Sequence, residues 1–201
     1  MTTVMSENMH EKALTTLFAS AARVAVLRVF LLDPGRPFYQ RQLEGATGLP
    51  IRAVQREVER LDKAGLLYSR AEGNRKYYQV DTTCPLFPEL RGMILKSVGA
   101  LDAARGRLAG DPNVRLAFCS GDGTRVLAVG QPGRRPSPLV MASIAVEFMT
   151  SEAFLQALAE RRAPVVEYLE HGADLLGRRD DVIWRHIETA GFEVRKGAGV
   201  P

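Results

Sequence analysis

Three side chains that can form paired hydrogen bonds follow one another at helical spacing: Arg52, Gln55 and Arg56. Spacings of three and four residues place side chains on one face of an α-helix. A guanidinium can donate two hydrogen bonds to the edge of a guanine, and a primary amide can pair similarly with an adenine. The predicted chemistry is therefore the recognition of base edges from one exposed helical face.

An apolar stripe on the same stretch predicts the opposite, buried face of a helix over Ile51–Ala64. Its members are Ile51, Val54, Val58 and Leu61. Pro50 suits a helix start and Gly65 a helix end. Charged helical faces are more often simply solvated, and Glu57, Glu59 and Asp62 fit that simpler interpretation.

The helix and strands predicted on either side of this helix are expected to position it against a partner molecule. A short helix is predicted over Gln40–Thr47, with Gly48 as a left-handed cap. Strands are predicted at Leu66–Arg70 and Lys76–Val80, joined by a hairpin tip at 72–75. Phosphate-binding side chains are expected on these elements, where position matters more than identity. They are Gln40, Arg41, Arg60, Asn74, Arg75 and Lys76.

The charge distribution supports a polyanionic partner for this segment. The chain of 201 residues has a net charge of +4, and residues 34–80 hold nine Lys/Arg against five Asp/Glu. Residues 100–201 hold 13 of each kind and balance to zero. The whole excess can therefore be assigned to the segment with the predicted helices and hairpin, as a phosphate footprint requires.

Residues 15–100 resemble the ArsR/MarR-type winged-helix transcriptional regulators. The likeness rests on Leu31-Leu32-Asp33-Pro34-Gly35-Arg36-Pro37-Phe38-Tyr39, on Gly48-Leu49-Pro50-Ile51-Arg52-Ala53-Val54-Gln55-Arg56, on Ala64-Gly65-Leu66-Leu67 and on Glu72-Gly73-Asn74-Arg75-Lys76-Tyr77-Tyr78. The resemblance implies a homodimer on double-stranded DNA, with one helix per protomer in the major groove. It also implies dimer contacts from the flanking helices, here Glu11–Phe18 and Leu86–Leu108.

The second half resembles a degenerate nucleotidyltransferase-like domain. Val114–Cys119 is similar to the first strand of that fold, and Val126–Val129 to the strand that follows its carboxylates. The fold holds its metal ions with an Asp-x-Asp pair, but Gly123-Thr124-Arg125 stands here, and Arg125 would repel Mg²⁺. Asp122 is then the lone acid, more typical of a turn. We therefore expect no catalytic residue, no metal, no cofactor and no enzyme activity.

The remaining elements are predicted from periodicity and capping. Pro85 to Leu108 is expected to form one longer helix, and Asp111-Pro112-Asn113 to mark a domain boundary. A strand is expected at Ser143–Met149, followed by a helix over Ser151–Glu160 capped by Ser151. The Ser120-Gly121-Asp122-Gly123 segment can be an anion cradle, but a tight hairpin is the favoured interpretation.

The cysteines and histidines of this sequence argue against a disulfide-bonded secreted protein and against a metal sensor. Without an export signal or a long apolar run, a cytoplasmic, non-membrane protein with reduced Cys84 and Cys119 is expected. Redox sensing by either thiol stays open. These cysteines and the three histidines lack metal-ligand spacing, which argues against a metal sensor. They are His10, His171 and His186.

The combined expectation is an α+β protein of two domains. Residues 1–110 form a winged helix-turn-helix with flanking dimerisation helices, and 111–196 a small degenerate nucleotidyltransferase-like domain. The expected function is sequence-specific regulation of transcription, with repression favoured, and the second domain supports dimerisation or binds a small-molecule or protein effector. The alternatives are a winged helix that binds protein rather than DNA, and a nucleotidyltransferase.

Overall fold

The computed structural model describes residues 12–131 and 144–197 and has an α+β fold. Two compact units divide the chain between Gly110 and Asp111, at the Asp111-Pro112-Asn113 turn. Each unit has its own sheet and its own cluster of buried apolar side chains.

The first unit is mainly helical. Its helices are α1 (Lys12–Phe18), α2 (Ala21–Leu32), α3 (Gln40–Thr47), α4 (Ile51–Lys63), α5 (Phe87–Ser97) and α6 (Ala100–Ala109). Its strands are β1 (Phe38–Tyr39), β2 (Leu67–Glu72) and β3 (Arg75–Val80). They form an antiparallel sheet in the order β1-β3-β2, in which β2 and β3 are a hairpin.

Helix α2 lies at the centre of this unit because it is apolar on most of its surface. Phe30 and Leu31 are fully buried, and the Phe30 ring meets Phe38 of β1 edge to face at 5.6 Å. Ser20 begins the helix, since its side chain accepts a hydrogen bond from the Arg23 amide. Helix α3 adds a single buried side chain, Leu43.

The turns around α3 and α4 follow the predicted chemistry. Gly48 ends α3 with a left-handed φ of 66°, and its N–H donates to the Glu44 carbonyl. Gly65, after α4, has a φ of 72°. A left-handed φ disfavours residues that carry a Cβ, so glycine suits both positions. Gly48 and Gly65 are thereby confirmed as the residues that mark the ends of α3 and α4.

The single helix predicted from Pro85 to Leu108 is wrong. The segment forms two helices, α5 and α6, separated at Val98 and Gly99. Val98 has an extended conformation, with φ −103° and ψ 162°, and Gly99 takes the N-cap position of α6. The Ser97 hydroxyl donates a hydrogen bond to the Ile94 carbonyl oxygen. This bond competes with the backbone hydrogen bonds that would continue the helix.

The second unit is built on a five-stranded mixed sheet. Its strands are β4 (Val114–Cys119), β5 (Arg125–Gly130), β6 (Ala145–Thr150), β7 (Ala173–Asp174) and β8 (Arg195–Lys196), in the order β6-β5-β4-β7-β8. Its helices are α7 (Ser151–Ala159), α8 (Ala163–His171) and α9 (Val182–Thr189). β4 and β5 are antiparallel, whereas β5 and β6 are parallel.

The core of the second unit is aromatic. The Phe118 ring on β4 stacks against Phe154 of α7 at 6.0 Å and against Trp184 of α9 at 6.1 Å. Cys119 is buried on the same strand, and burial raises the pKa of its thiol. Ile183 and Ile187 are also buried here, which makes the Trp184 helix a core element.

One capping prediction in this unit is wrong. Thr150, rather than Ser151, caps α7 by accepting a hydrogen bond from the Ala153 amide. The Ser151 hydroxyl instead donates to the Gly130 carbonyl on β5. The predicted strand at Ser143–Met149 is shifted to Ala145–Thr150, and Ser143 itself lies outside the described residues.

No single helix within residues 12–131 and 144–197 is both long and apolar enough to cross a membrane. Helices α1 and α2 meet those criteria only as a pair, bent by 107°.

Candidate nucleic-acid interface

Helix α4 separates its apolar and basic side chains as predicted. Val54 and Val58 are fully buried, whereas Arg52 is exposed and the Arg56 side chain is 61% exposed. The basic residues begin one residue after the helix starts at Ile51. The first turns of this helix therefore present guanidinium groups to solvent, where a polyanion can reach them.

Arg41 and Arg52 are exposed arginines with all their donors available to a ligand. Within the part of the chain that the structure describes, neither guanidinium has a hydrogen-bond or ion-pair partner. Arg41 lies in the first turn of α3 and Arg52 in the first turn of α4. An arginine without an internal partner can give both arms of its fork to a base edge or a phosphate.

A hydrogen bond between two predicted site residues joins α3 to α4. The Gln55 amide nitrogen donates to the Gln40 side-chain oxygen at 3.1 Å, and both side chains are half-buried. Gln55 was predicted to read bases and Gln40 to bind phosphate. The contact brings the first residue of α3 against the second turn of α4, so Gln55 must share its amide with Gln40 to reach a base.

The β2–β3 hairpin carries three predicted residues at its tip. Gly73 takes the first central position of the turn with a φ of 58°, and Asn74 follows it, exposed. The Arg75 guanidinium lies 4.8 Å from the centre of the Tyr39 ring, directly before α3. A hydrogen bond with Tyr77 raises the pKa of Arg75. Arg75 is therefore a fixed positive charge tied to the start of α3.

Lys76 connects the hairpin to the other end of α4. Its ammonium group lies 3.8 Å from a carboxylate oxygen of Asp62 and 5.0 Å from the centre of the Tyr78 ring. Asp62 also accepts a hydrogen bond from the Ser69 hydroxyl on β2. The carboxylate therefore offsets part of the positive charge of Lys76.

Glu57 does not lie on a solvated face, so the simpler interpretation of the helix as a solvated charged surface does not hold for this residue. It is 1% exposed, and its two carboxylate oxygens accept hydrogen bonds from Arg23 of α2 at 3.0 Å and from Arg60 at 2.8 Å. Arg60 was predicted to bind phosphate and remains 54% exposed. A carboxylate without water must be paired in this way, and the pairing attaches α4 to α2.

Tyr39, Arg23 and Glu57 are absent from the residues predicted for this interface. The Tyr39 ring supports Arg75 and meets Tyr77 edge to face at 5.7 Å. Local spacing carries no signal for Arg23, because 34 residues separate it from Glu57. The aromatic residue immediately before a short helix was the one available signal for Tyr39.

The turn between β4 and β5 uses its polar groups internally. Asp122 accepts hydrogen bonds from the Ser120 hydroxyl at 2.5 Å and from the Thr124 amide at 3.0 Å, and these bonds lower its pKa to about 2. The Arg125 amide donates to the Ser120 hydroxyl oxygen at 3.0 Å. The favoured interpretation as a tight hairpin is confirmed, because these groups shape the turn.

Arg125 at the same turn is held by an acid from α8. Its guanidinium donates to Glu167 at 2.8 Å and lies 5.7 Å from the centre of the Tyr168 ring. Residues 12–131 and 144–197 contain no group of three or more His, Cys, Asp or Glu side chains arranged to hold a metal ion. His10 lies outside those ranges.

Comparison of the chain with protein-family models, with curated proteins and with solved structures found no match.

Proposed function

We propose that this chain is a sequence-specific regulator of transcription that binds double-stranded DNA through α4. The exposed Arg52 and Arg56 on the first two turns of a helix whose other face is buried carry the proposal. A major groove about 12 Å wide admits one α-helix, whose N-terminal side chains reach the base edges. Arg52, Gln55 and Arg56 read bases in this account.

The surrounding elements supply phosphate contacts in the proposal. The first unit is a winged helix-turn-helix, in which α3 and α4 are the paired helices and the β2–β3 hairpin is the wing. Arg41 and Arg75 have exposed guanidinium groups beside the start of α3, and Asn74 is exposed at the hairpin tip. Such contacts position a protein on DNA without reading its sequence.

The proposed active form is a homodimeric repressor that blocks polymerase by occupying a promoter. Exposed apolar side chains on α1 and α5 support contacts between two copies: Leu17 is 71% exposed, and Met93 is 36% exposed. A dimer of this kind binds two half-sites about one helical turn, 34–36 Å, apart. The operator should therefore be a palindrome or a near-palindrome.

The second unit is proposed to be a degenerate nucleotidyltransferase-like domain without enzyme activity. The position where that fold carries metal-binding carboxylates holds Arg125, whose guanidinium is engaged by Glu167. Asp122, the nearest acid in the sequence, accepts hydrogen bonds from Ser120 and Thr124. Support of the dimer or binding of an effector is the role proposed for this unit.

Selection from a pool of random duplexes tests the function directly. The wild-type protein should enrich a two-fold symmetric sequence, whereas the Arg52→Ala/Arg56→Ala variant should enrich none. Arg161→Ala/Arg162→Ala in the second unit removes the same charge from exposed positions and is the matched control. Failure of the wild-type protein to enrich any sequence contradicts the proposal and favours a winged helix that binds protein.

A further inference from the structure

Glu57 is a buried acid that bonds to two arginines, Arg23 of α2 and Arg60 of α4. Its Oε2 accepts from Arg23 Nε at 3.0 Å, and its Oε1 accepts from Arg60 Nη1 at 2.8 Å. Arg56 Nε lies farther away, 4.0 Å from the same Oε1. Each carboxylate oxygen is thus occupied by a different guanidinium, and Glu57 itself is 1% exposed.

The contact with Glu57 orders Arg60 but leaves it open to a ligand. A guanidinium has five N–H donors in a planar fork, and a single one, on Nη1, bonds to Glu57. The Arg60 side chain is 54% exposed, so a ligand in solution can reach it. Ordering a long side chain opposes binding, and a side chain that is ordered beforehand avoids that loss.

Arg23 prevents the carboxylate from changing its position. Its Nε bonds to Glu57, and its Nη1 donates to the Phe18 carbonyl at the end of α1, at 3.0 Å. The Arg23 side chain is 29% exposed. Through Arg23, Glu57 is therefore connected to α2 and to Phe18, the last residue of α1, in addition to its bond with Arg60.

We propose that Glu57 is a positioning residue that holds Arg60 in the orientation required for a DNA phosphate. This inference rests on the function proposed above and deepens it. Glu57 is an acid that strengthens binding to a polyanion, because it orders a cation whose remaining donors face the ligand. A charge-assisted bond from a planar fork is both stronger and more directional than one from a freely rotating side chain.

Positioning and simple electrostatics predict opposite results for one substitution. Glu57→Gln removes a negative charge from the DNA-binding unit, and overall charge alone predicts tighter binding to DNA. Positioning predicts weaker binding, because the neutral amide holds a guanidinium less firmly than a carboxylate does. Glu59→Gln is the matched control, since it makes the same charge change two residues away at an exposed position.

The experiment measures the affinity of full-length protein for a labelled duplex of mixed sequence at fixed salt. Glu57→Gln should bind on the order of fivefold more weakly than wild type. Glu59→Gln should bind as tightly as wild type or slightly more tightly. In an Arg60→Ala background, Glu57→Gln should cause no further loss, because the residue through which it acts is gone. Equal affinities of Glu57→Gln and Glu59→Gln would overturn the inference.

Circular dichroism first establishes that the Glu57→Gln protein is folded. If it is not, Arg60→Lys provides the same test at an exposed position. Lysine keeps the charge but lacks the planar fork, so affinity should again fall on the order of fivefold. Unchanged affinity of Arg60→Lys would refute the positioning role. If wild type itself binds no duplex, the proposed function fails together with this inference. If wild type binds a duplex but Glu57→Gln and Glu59→Gln have equal affinities, this inference alone fails.

Discussion

Arginines on different elements are expected to contribute in different ways to DNA binding. Arg52 on α4 is exposed and, within the described residues, unpartnered, so it can form two hydrogen bonds to a guanine. Arg52→Ala should reduce discrimination between the operator and unrelated DNA by about 1–3 kcal/mol. Competition binding with operator and scrambled duplexes measures this loss.

Arg75→Ala, in the β2–β3 hairpin, should affect DNA binding differently from Arg52→Ala. The Arg75 guanidinium lies 4.8 Å from the centre of the Tyr39 ring, and under the proposed function it contacts a phosphate rather than a base. The variant should bind all duplexes more weakly by a similar factor, and its affinity should depend less steeply on salt. A change in sequence preference in Arg75→Ala, or a uniform loss in Arg52→Ala, would contradict these assignments.

Asp122 is expected to give the second unit a pH-dependent stability. Its hydrogen bonds lower its pKa from 3.8 to about 2, so its contribution is present above 3.8 and is lost as the pH falls towards 2. Asp122→Asn keeps a hydrogen-bond acceptor without the charge. The difference in thermal midpoint between wild type and Asp122→Asn should therefore shrink as the pH falls from 3.8 to about 2. A difference that stays constant throughout this range would contradict the assignment.

At the scale of elements, α3 contributes one buried apolar side chain to the core of the first unit. Leu43 is its single buried residue and is fully enclosed. Leu43→Ala should lower the free energy of unfolding of the first unit by about 2–5 kcal/mol, since it leaves a cavity. Denaturant unfolding measures the change. Arg41→Ala on the same helix is exposed and should change it by less than about 0.5 kcal/mol.

Local patterns predicted most elements of the first unit. Gln40–Thr47 begins and ends where the sequence predicts, because Gly48 is a strong local signal for the end of a helix. Helices α5 and α6 were predicted as one, since Leu and Ile recur across a break that Val98 and Gly99 alone mark. Glu57 has the pattern of a surface residue, and its burial depends on Arg23, far away in the chain.

The candidate site shows the same difference between features within one element, which local patterns predict, and contacts between elements, which they do not. Arg52, Arg56 and Asn74 are exposed as predicted, because their helix and hairpin follow local rules. The bond from Gln55 to Gln40, the support of Arg75 by Tyr39 and the bond from Arg23 to Glu57 each join two elements. Such contacts depend on tertiary packing, which no spacing within one element encodes.

At the scale of the whole molecule, the two units have separate cores. One cluster of buried apolar residues centres on Phe30 and Leu31, and the other on Phe118 and Trp184, with no residue in common. Ile187→Ala in the second core should destabilise that unit by about 2–5 kcal/mol. Under the proposed function, the variant should bind a single half-site within about twofold of wild type, because the substituted residue belongs to the separate core of the second unit.

Thermal unfolding and half-site binding of the Ile187→Ala protein measure the two effects separately. The affinity must be measured below the temperature at which the variant begins to unfold. A large loss of half-site affinity in a folded Ile187→Ala protein would show that the second unit contributes to DNA contact itself.

The proposed recognition of DNA sequence by α4 can be tested by a single equilibrium measurement. Affinity for the DNA upstream of the chain's own gene is compared with affinity for scrambled DNA across a series of salt concentrations. The account predicts tighter binding to the native sequence, with a logarithmic salt slope of about −0.9 for each phosphate contacted. No binding to either duplex, even at the lowest salt concentration, would contradict it.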